Sequence, residues 1–266
     1  MRIFRAGALS VLMLGSALAG AGPVFAQSAV DAAQALASAL DGAGGGISMV
    51  DQVAALEAAA AAGDTMALWQ LGLMYEAGEG VTQDKAKAFG YFSQIANDHA
   101  DAAPKGLEAD IVAQSFVKMG EYYKDGVPEA GIPQNDDYST KLILHAASYF
   151  GDAEAQYKVG ELYLEEGELG DNPLQSARWL SLAARKGHAG AQARLGNMLF
   201  NGDGTLQANP VEGLMWLTVA SRRAIGTADS GWIDDLLNSA MSVADPDQRK
   251  QAVDLADNLG RQFGGL

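Results

Sequence analysis

Three observations predict that this chain is all-α and wound as an α/α superhelical solenoid. Residues 146–220 can be laid over themselves at a shift of 36 residues, so that Ala147, Gly151, Ala153, Ala155, Gln156 and Gly160 fall on Ala183, Gly187, Ala189, Ala191, Gln192 and Gly196. A fixed period in that range marks stacked helical hairpins, each too small to bury its apolar face alone. Alanine is abundant, only 7 of the 266 residues are proline, and no long β-branched alternating run occurs, which favours helix over strand. Apolar residues also recur three and four apart, putting one stripe on each helix. A function carried by a solenoid follows from a stacked surface, not from a pocket motif.

Residues 1–26 have the layout of a secretory signal: Arg2 and Arg5, an uncharged apolar run over 6–20, then Val24-Phe25-Ala26 before Gln27. This predicts export and cleavage after Ala26, with an uncleaved anchor as the alternative reading of a stretch long enough to cross a bilayer. The chain has no cysteine, hence no disulfide, and its stability must come from helix packing. Its formal charge is −15, from 33 acidic and 18 basic residues. Losing the leader removes two arginines and no acid. Such a surface repels nucleic acid and anionic lipid, or serves solubility alone.

Residues 27–47 end in Gly44-Gly45-Gly46 and read as a flexible linker. The repeat array is expected over 48–224. From 48 to 63, Val50, Val53 and Leu56 stand at helical spacing as a half-repeat that caps the array. The first full unit places Ala67, Leu71, Gly72, Tyr75, Gly78 and Gly80 in a helix and its turn, then Ala88, Tyr91, Phe92 and Ala96 in a second helix. Ala67 and Gly72 permit close helix approach, and the turn glycines a sharp reversal. The second unit, 48 residues on, has Ser115, Met119, Gly120, Tyr123 and Gly126, then Leu142, Ala146 and Ala147. Its extra length is placed in 97–111, and its internal loop, 127–137, is also long. The third unit has Ala155, Gly160, Tyr163 and Gly167, with Trp179 and Ala183. The fourth has Ala191, Gly196, Gly202 and Gly204, with Leu199 in place of Tyr, then Trp216 and Ala220. Residues 225–266 form two closing helices, 230–243 and 247–263, with Trp232, Ile233, Leu236 and Leu237 covering the end of the stack.

No catalytic residue, metal site or cofactor is assigned. Ser115-Phe116-Val117-Lys118 matches a nucleophile motif, Ser-x-x-Lys, but lacks that motif's companions, and Ser115 holds a small-residue packing position. Asn201, Asp203, Thr205, Gln207, Asn209 and Glu212 follow a calcium-loop spacing, but Leu206 stands where that loop needs glycine. His99, His145 and His188 lie in no metal-ligand spacing. Glu161, Glu165, Glu166, Glu168 and Asp171 form either a solvated face or a surface for a basic patch on a partner.

The candidate site comes from helix geometry. Ala67, Leu71, Tyr75 and Gly78 share one sector of a helix, and residue 69 points the other way. That position holds Trp69, Val117, Tyr157 and Ala193 in successive units. Stacking aligns them in a row, which is either an aromatic-bearing strip on the concave wall or packing between neighbouring first helices. The candidate groove residues are Trp69, Val117, Tyr157, Glu161 and Glu165, and aromatic anchors suit a protein or peptide partner.

The scheme Ala-x4-Gly-x2-Tyr-x2-Gly-x-Gly, followed by an aromatic and an Ala-Ala pair, resembles the Sel1-like repeat, a relative of the tetratricopeptide repeat. Residues 67–80 and 183–204 carry the match. The order of features, including Asp98-His99-Ala100-Asp101, the run from His145 through Ala153 and Gly213-Leu214-Met215-Trp216-Leu217, is similar to the ExoR family of periplasmic regulators. That resemblance implies a non-enzymatic periplasmic protein that binds the periplasmic domain of a membrane sensor histidine kinase. Through it, two-component signalling over exopolysaccharide and envelope responses would be kept quiet. A general periplasmic scaffold or chaperone-like module, and more distantly a cell-wall hydrolase, are the alternatives. The many carboxylates and three histidines further suggest that acid below about pH 5 alters fold or complex, since free Asp and Glu titrate near 4.

Overall fold

The computed structural model describes residues 49–103, 105–165 and 169–262, without the side chains of 261 and 262. The leader, the linker, Glu166, Gly167 and Glu168 lie outside the described residues. Those that are described form eleven α-helices and no β-strand. α1 (Met49–Ala61) is the half-repeat. The hairpins that follow are α2 (Thr65–Ala77) with α3 (Lys85–Asp98), α4 (Leu107–Asp125) with α5 (Asp136–His145), α6 (Ala153–Leu162) with α7 (Pro173–Arg185), and α8 (Ala189–Asn201) with α9 (Pro210–Ala224). α10 (Ser230–Val243) and α11 (Pro246–Gln262) close the chain.

From α1 to α10 each helix packs on its neighbours in sequence, and the first helices α2, α4, α6 and α8 also touch one another in a row. This second set of contacts puts the first helices on the inner wall of the superhelix. α10 continues that row by packing on α8 as well as α9, and α11 lies against α9. At the C-terminal end Ile233 is buried, with Trp232, Leu236 and Leu237 packed beside it.

Small residues set the spacing within each hairpin. A Cβ built on Gly72 would stand 2.5 Å from the Phe92 ring, and one on Gly160 would stand 2.7 Å from the Leu180 side chain. In the last unit two glycines face each other: a Cβ on Gly196 would meet the Gly213 carbonyl oxygen at 2.8 Å, and one on Gly213 would meet the Phe200 amide nitrogen at 2.5 Å.

The hairpins are closed by a device the apolar pattern does not display. The residue before each second helix, Asp84, Asn135, Asn172 and Asn209, caps it with a side-chain oxygen. Its own backbone N–H donates back to the carbonyl of Tyr75, Tyr123, Tyr163 or Leu199 on the first helix. Capping satisfies an amide that the first helical turn leaves without a partner. Because the return bond uses a carbonyl, Leu199 serves it as well as tyrosine does. In the last two units the buried Gln156 and Gln192 donate from Nε2 to the carbonyls of Ala147 and Ala184, holding each first helix to the end of the preceding helix.

Two expectations need correction. The added length of the second unit is partly helix: α4 begins at Leu107, eight residues before Ser115, whereas α2 begins two before Ala67. The loop after α4 is ordered by a short 3-10 turn, Pro128–Ala130, and by pairing of the buried Val127 with Ile132. Pro246, read as part of the break between the closing helices, is instead the first residue of α11, where proline's missing N–H costs nothing.

Candidate functional site

The row at residue 69 is not one continuous strip. Val117, at 2 % exposure, and Ala193, at 0 %, are core residues, so at these two positions the packing reading holds and Val117 presents no surface to a partner. Val117 lies in the core shared by the first hairpins, and Ala193 lies among Leu214 and Leu217 of α9 and Ile233 of α10. Trp69 is half-buried with its ring 5.2 Å from Phe92. Tyr157 is half-buried, stacks on His188 at 4.5 Å, and donates its hydroxyl to Glu161 Oε1 at 2.6 Å. Glu165 is exposed and pairs with Lys124 Nζ at 3.4 Å.

One position further along, the first helices carry Lys118, Lys158 and Arg194, and these build the inner wall. Lys118 Nζ reaches Glu76 of α2 at 2.8 Å and Glu121 of its own helix at 3.6 Å. Lys158 Nζ reaches Glu121 of α4 at 2.8 Å and Glu154 at 3.4 Å. Glu154 meets His188 Nε2 at 2.8 Å, and Glu161 meets Arg194 Nε at 3.4 Å. Arg194 in turn lies over the Trp232 ring at 5.1 Å. Acid and base thus alternate from unit to unit, and every inter-unit junction on this wall is crossed by a charge-assisted bond. Burial works against the Lys118 and Lys158 ammonium groups, but the flanking carboxylates outweigh it and hold both above the usual lysine value. Burial likewise works against the Glu154 carboxylate, and His188 and Lys158 outweigh it, so its pKa is lowered. Burial, followed by the neighbouring Glu161 carboxylate, pushes the Tyr157 phenol up. Tyr157 therefore stays a neutral donor at physiological pH. The wall is close to charge-balanced on a strongly acidic protein.

Two helix caps sit beside this wall. His188 Nδ1 accepts the Ala191 N–H at the start of α8, which leaves the ring proton on Nε2 facing Glu154. Asp152 caps α6, accepting from Ala155 N–H at 2.7 Å, and takes a second bond from Gln114 Nε2 of α4, also at 2.7 Å. Burial raises the Asp152 pKa, and the nearby Glu154 and Asp110 add to the rise. A carboxyl whose folded pKa exceeds its unfolded one stabilises the fold when protonated, and that contribution is lost as pH rises through the folded pKa. Asp152→Asn keeps the cap without the buried charge, with the Gln114 amide turned over to accept. At pH 7 it is expected to match or exceed the wild type in urea midpoint, and below the ordinary aspartate value of 3.8 that advantage should vanish. Asp152→Ala, which removes the cap, is expected to lose about 1 kcal/mol at either pH.

The other motifs fall into structural roles. Ser115 is fully buried and its hydroxyl donates to the Ile111 carbonyl one turn back. Lys118 is engaged with glutamates, so Ser-x-x-Lys here is a packing residue followed by a wall residue. Asn209 caps α9, Asn201 bonds Asn197, and Asp203 pairs with Leu206 through the backbone. Of the histidines, His99 meets Thr65 and Glu108, and His145 lies among aromatic rings. Among the described residues no group of three or more His, Cys, Asp or Glu is placed to hold a metal ion, and no helix is long and apolar enough to cross a membrane.

The Sel1 repeat family matches residues 65–98, 153–188 and 189–224, which are the first, third and fourth hairpins. The second hairpin, with its lengthened first helix and loop, is not among them. Over 212 residues the chain is 35 % identical to the exopolysaccharide production negative regulator of Rhizobium leguminosarum bv. viciae, covering 79 % of this chain and 75 % of that one. The chain belongs to this family of negative regulators. Its Rhizobium meliloti (strain 1021) member, of the same name, is 30 % identical over 216 residues, 80 % of this chain and 76 % of that one. In architecture the family member resembles a Sel1 repeat protein from Oxalobacter formigenes, with a TM-score of 0.58 at 23 % identity over 79 % of this chain and 80 % of that one. Repeats of this family are protein-interaction modules, and a regulator built from them acts by contact.

Proposed function

We propose that this chain is a periplasmic negative regulator of exopolysaccharide production that binds the periplasmic domain of a membrane sensor histidine kinase and holds the kinase in its off state. The name shared by relatives aligned over about four-fifths of the chain carries the regulatory part of the reading. The inner wall, lined by Glu76, Lys118, Glu121, Lys158, Glu161 and Arg194 and bounded by Trp69 and Trp232, supports the binding part. Export rests on the layout of residues 1–26. Inhibition needs only that the wall bind the inactive conformation more tightly than the active one.

Among the wall cations Arg194, 48 % exposed, is the one a partner reaches most easily. The mature chain from Gln27, titrated against purified sensor ectodomains from the same cell, is expected to bind one of them. Arg194→Glu should weaken that binding about tenfold, as charge reversal at an interface does; it also breaks the pairing with Glu161 and the contact with Trp232, so binding is compared well below the variant's lowered melting temperature. Absence of binding to every ectodomain would end the kinase reading. Binding that ignores Arg194→Glu would move the docking surface off the inner wall.

A further inference from the structure

On the edge of the solenoid where second helices hand over to the next first helix, the turn after α5 differs from its counterpart after α7. Residues 146–150 take a π-helical turn, closed by Gly151 N–H donating to the Ala146 carbonyl, and Asp152 N–H returns to the same oxygen. After α7 the equivalent amide, His188 N–H, returns to Ala183, one residue less. Tyr149, within this turn, is 44 % exposed. Inserted π-turns of this kind cluster at functional sites.

Tyr149 is held like an anchor. One face of its ring stacks on His145 at 5.4 Å and 6° between planes, Phe150 meets its edge at 4.8 Å, and Phe116 backs His145 at 4.7 Å. Its hydroxyl donates to the Ala102 carbonyl in the preceding handover loop. At 44 % exposure the ring still presents surface to solvent. The segment that its hydroxyl bonds is acidic: exposed Asp98 and Asp101 precede Ala102, and exposed Glu108, paired with His99, and half-buried Asp110 follow at the start of α4. Lys186 is occupied by the Gly151 carbonyl, and Lys105 is the one lysine or arginine among residues 98–110. An exposed aromatic ring and an acidic segment bonded to it both attract a cation, and a ring already fixed loses little rotamer freedom on binding.

We propose that Tyr149 and the acids of the 98–110 segment form a second docking surface, separate from the inner wall, for a protein segment that presents arginine beside an aromatic or aliphatic side chain. The guanidinium stacks on the exposed surface of the Tyr149 ring, its apolar neighbour packs against Phe150, and Asp101 accepts from the guanidinium. The surface deepens the protein-binding reading, but its test does not depend on any kinase. The probe is a fluorescein-labelled peptide of alternating Arg and Trp, with a Glu and Trp peptide as its opposite, measured by anisotropy against the mature chain. The Arg peptide is expected to bind and the Glu peptide to fail. Tyr149→Ala and Asp101→Asn should each weaken Arg-peptide binding by about three- to tenfold, whereas Tyr149→Phe keeps it. The double change Asp136→Asn with Asp137→Asn, at the start of α5, removes two acids elsewhere and should leave it unaltered. Equal loss in that double variant reduces the effect to net charge and overturns the proposal, as does unchanged binding by Tyr149→Ala. Asp101→Asn should melt with the wild type; Tyr149→Ala also loses the ring contacts and the bond to Ala102, so its binding is measured well below its melting transition. If every ectodomain fails to bind while this pattern holds, the kinase reading falls and this surface stands.

Discussion

Gly196→Ala is expected to destabilise the protein by about 2 kcal/mol or more, and Gly90→Ala to stabilise it by about 0.5–1 kcal/mol, though both replace a glycine inside a helix. In isolation alanine is the better helix former by nearly 1 kcal/mol. At Gly90, on α3, nothing lies within 4 Å of an added Cβ, so only that gain remains. At Gly196 the Cβ meets the Gly213 carbonyl at 2.8 Å and the Leu217 backbone nitrogen at 2.9 Å. Backbone cannot rotate away, so α8 and α9 must move apart, and overpacking of a core costs 1–3 kcal/mol or more. Gly120, the same position in the second unit, is a control: there the closest atom is Ile143 Cγ1 at 2.7 Å, with the Ser139 carbonyl at 3.3 Å. A side chain can partly yield, and Gly120→Ala should fall between the other two. Urea midpoints of the three variants test the order, and Gly196→Ala as stable as Gly90→Ala would mean the last hairpin is not packed as described.

The fold was largely legible because what repeats in the sequence is what sets the helix spacing. Ala67, Ala155 and Ala191, with Gly72, Gly120, Gly160 and Gly196, stand where helices come closest, and a position with no room for a side chain leaves a periodic mark. The hairpin-closing caps were legible too, had Asn172-Pro173 and Asn209-Pro210 been read as a cap and first helical residue. The site was less so. Helix geometry placed Trp69, Val117, Tyr157 and Ala193 opposite the core stripe, but a first helix in a solenoid is buried on more than one side. The surrounding helices enclose Val117 and Ala193. Only the next position, Lys118, Lys158 and Arg194, faces the open wall, and its charge pattern is visible in the sequence once that register is chosen. The π-turn at 146–150 leaves no such mark: the register at a shift of 36 runs through it unbroken, since the extra width comes from backbone bonding and not from an added residue.

Glu154 should give the second large effect, with a pH dependence opposite to that of its neighbour Asp152. It joins three elements: its own α6, the cap of α8 through His188, and through Lys158 the Glu121 carboxylate of α4. Glu154→Ala leaves the His188 Nε2 proton and one side of the Lys158 ammonium without an acceptor in a half-buried site, and is expected to cost about 2–3 kcal/mol at pH 7. Because the folded pKa of Glu154 lies below its ordinary 4.5, the stabilisation is fully present above that value and is lost as pH falls through the folded pKa. The gap between wild type and Glu154→Gln should therefore be wide at pH 7 and close below about pH 4, while for Asp152→Asn the variant's advantage shrinks over the same range. Denaturant curves at pH 7, 5 and 3.5 separate the two carboxyls, although they are two residues apart. A Glu154→Gln gap that persists unchanged at pH 3.5 would mean that the carboxylate's charge does not tie the third hairpin to the fourth, and the inner wall would then owe its continuity to helix packing alone.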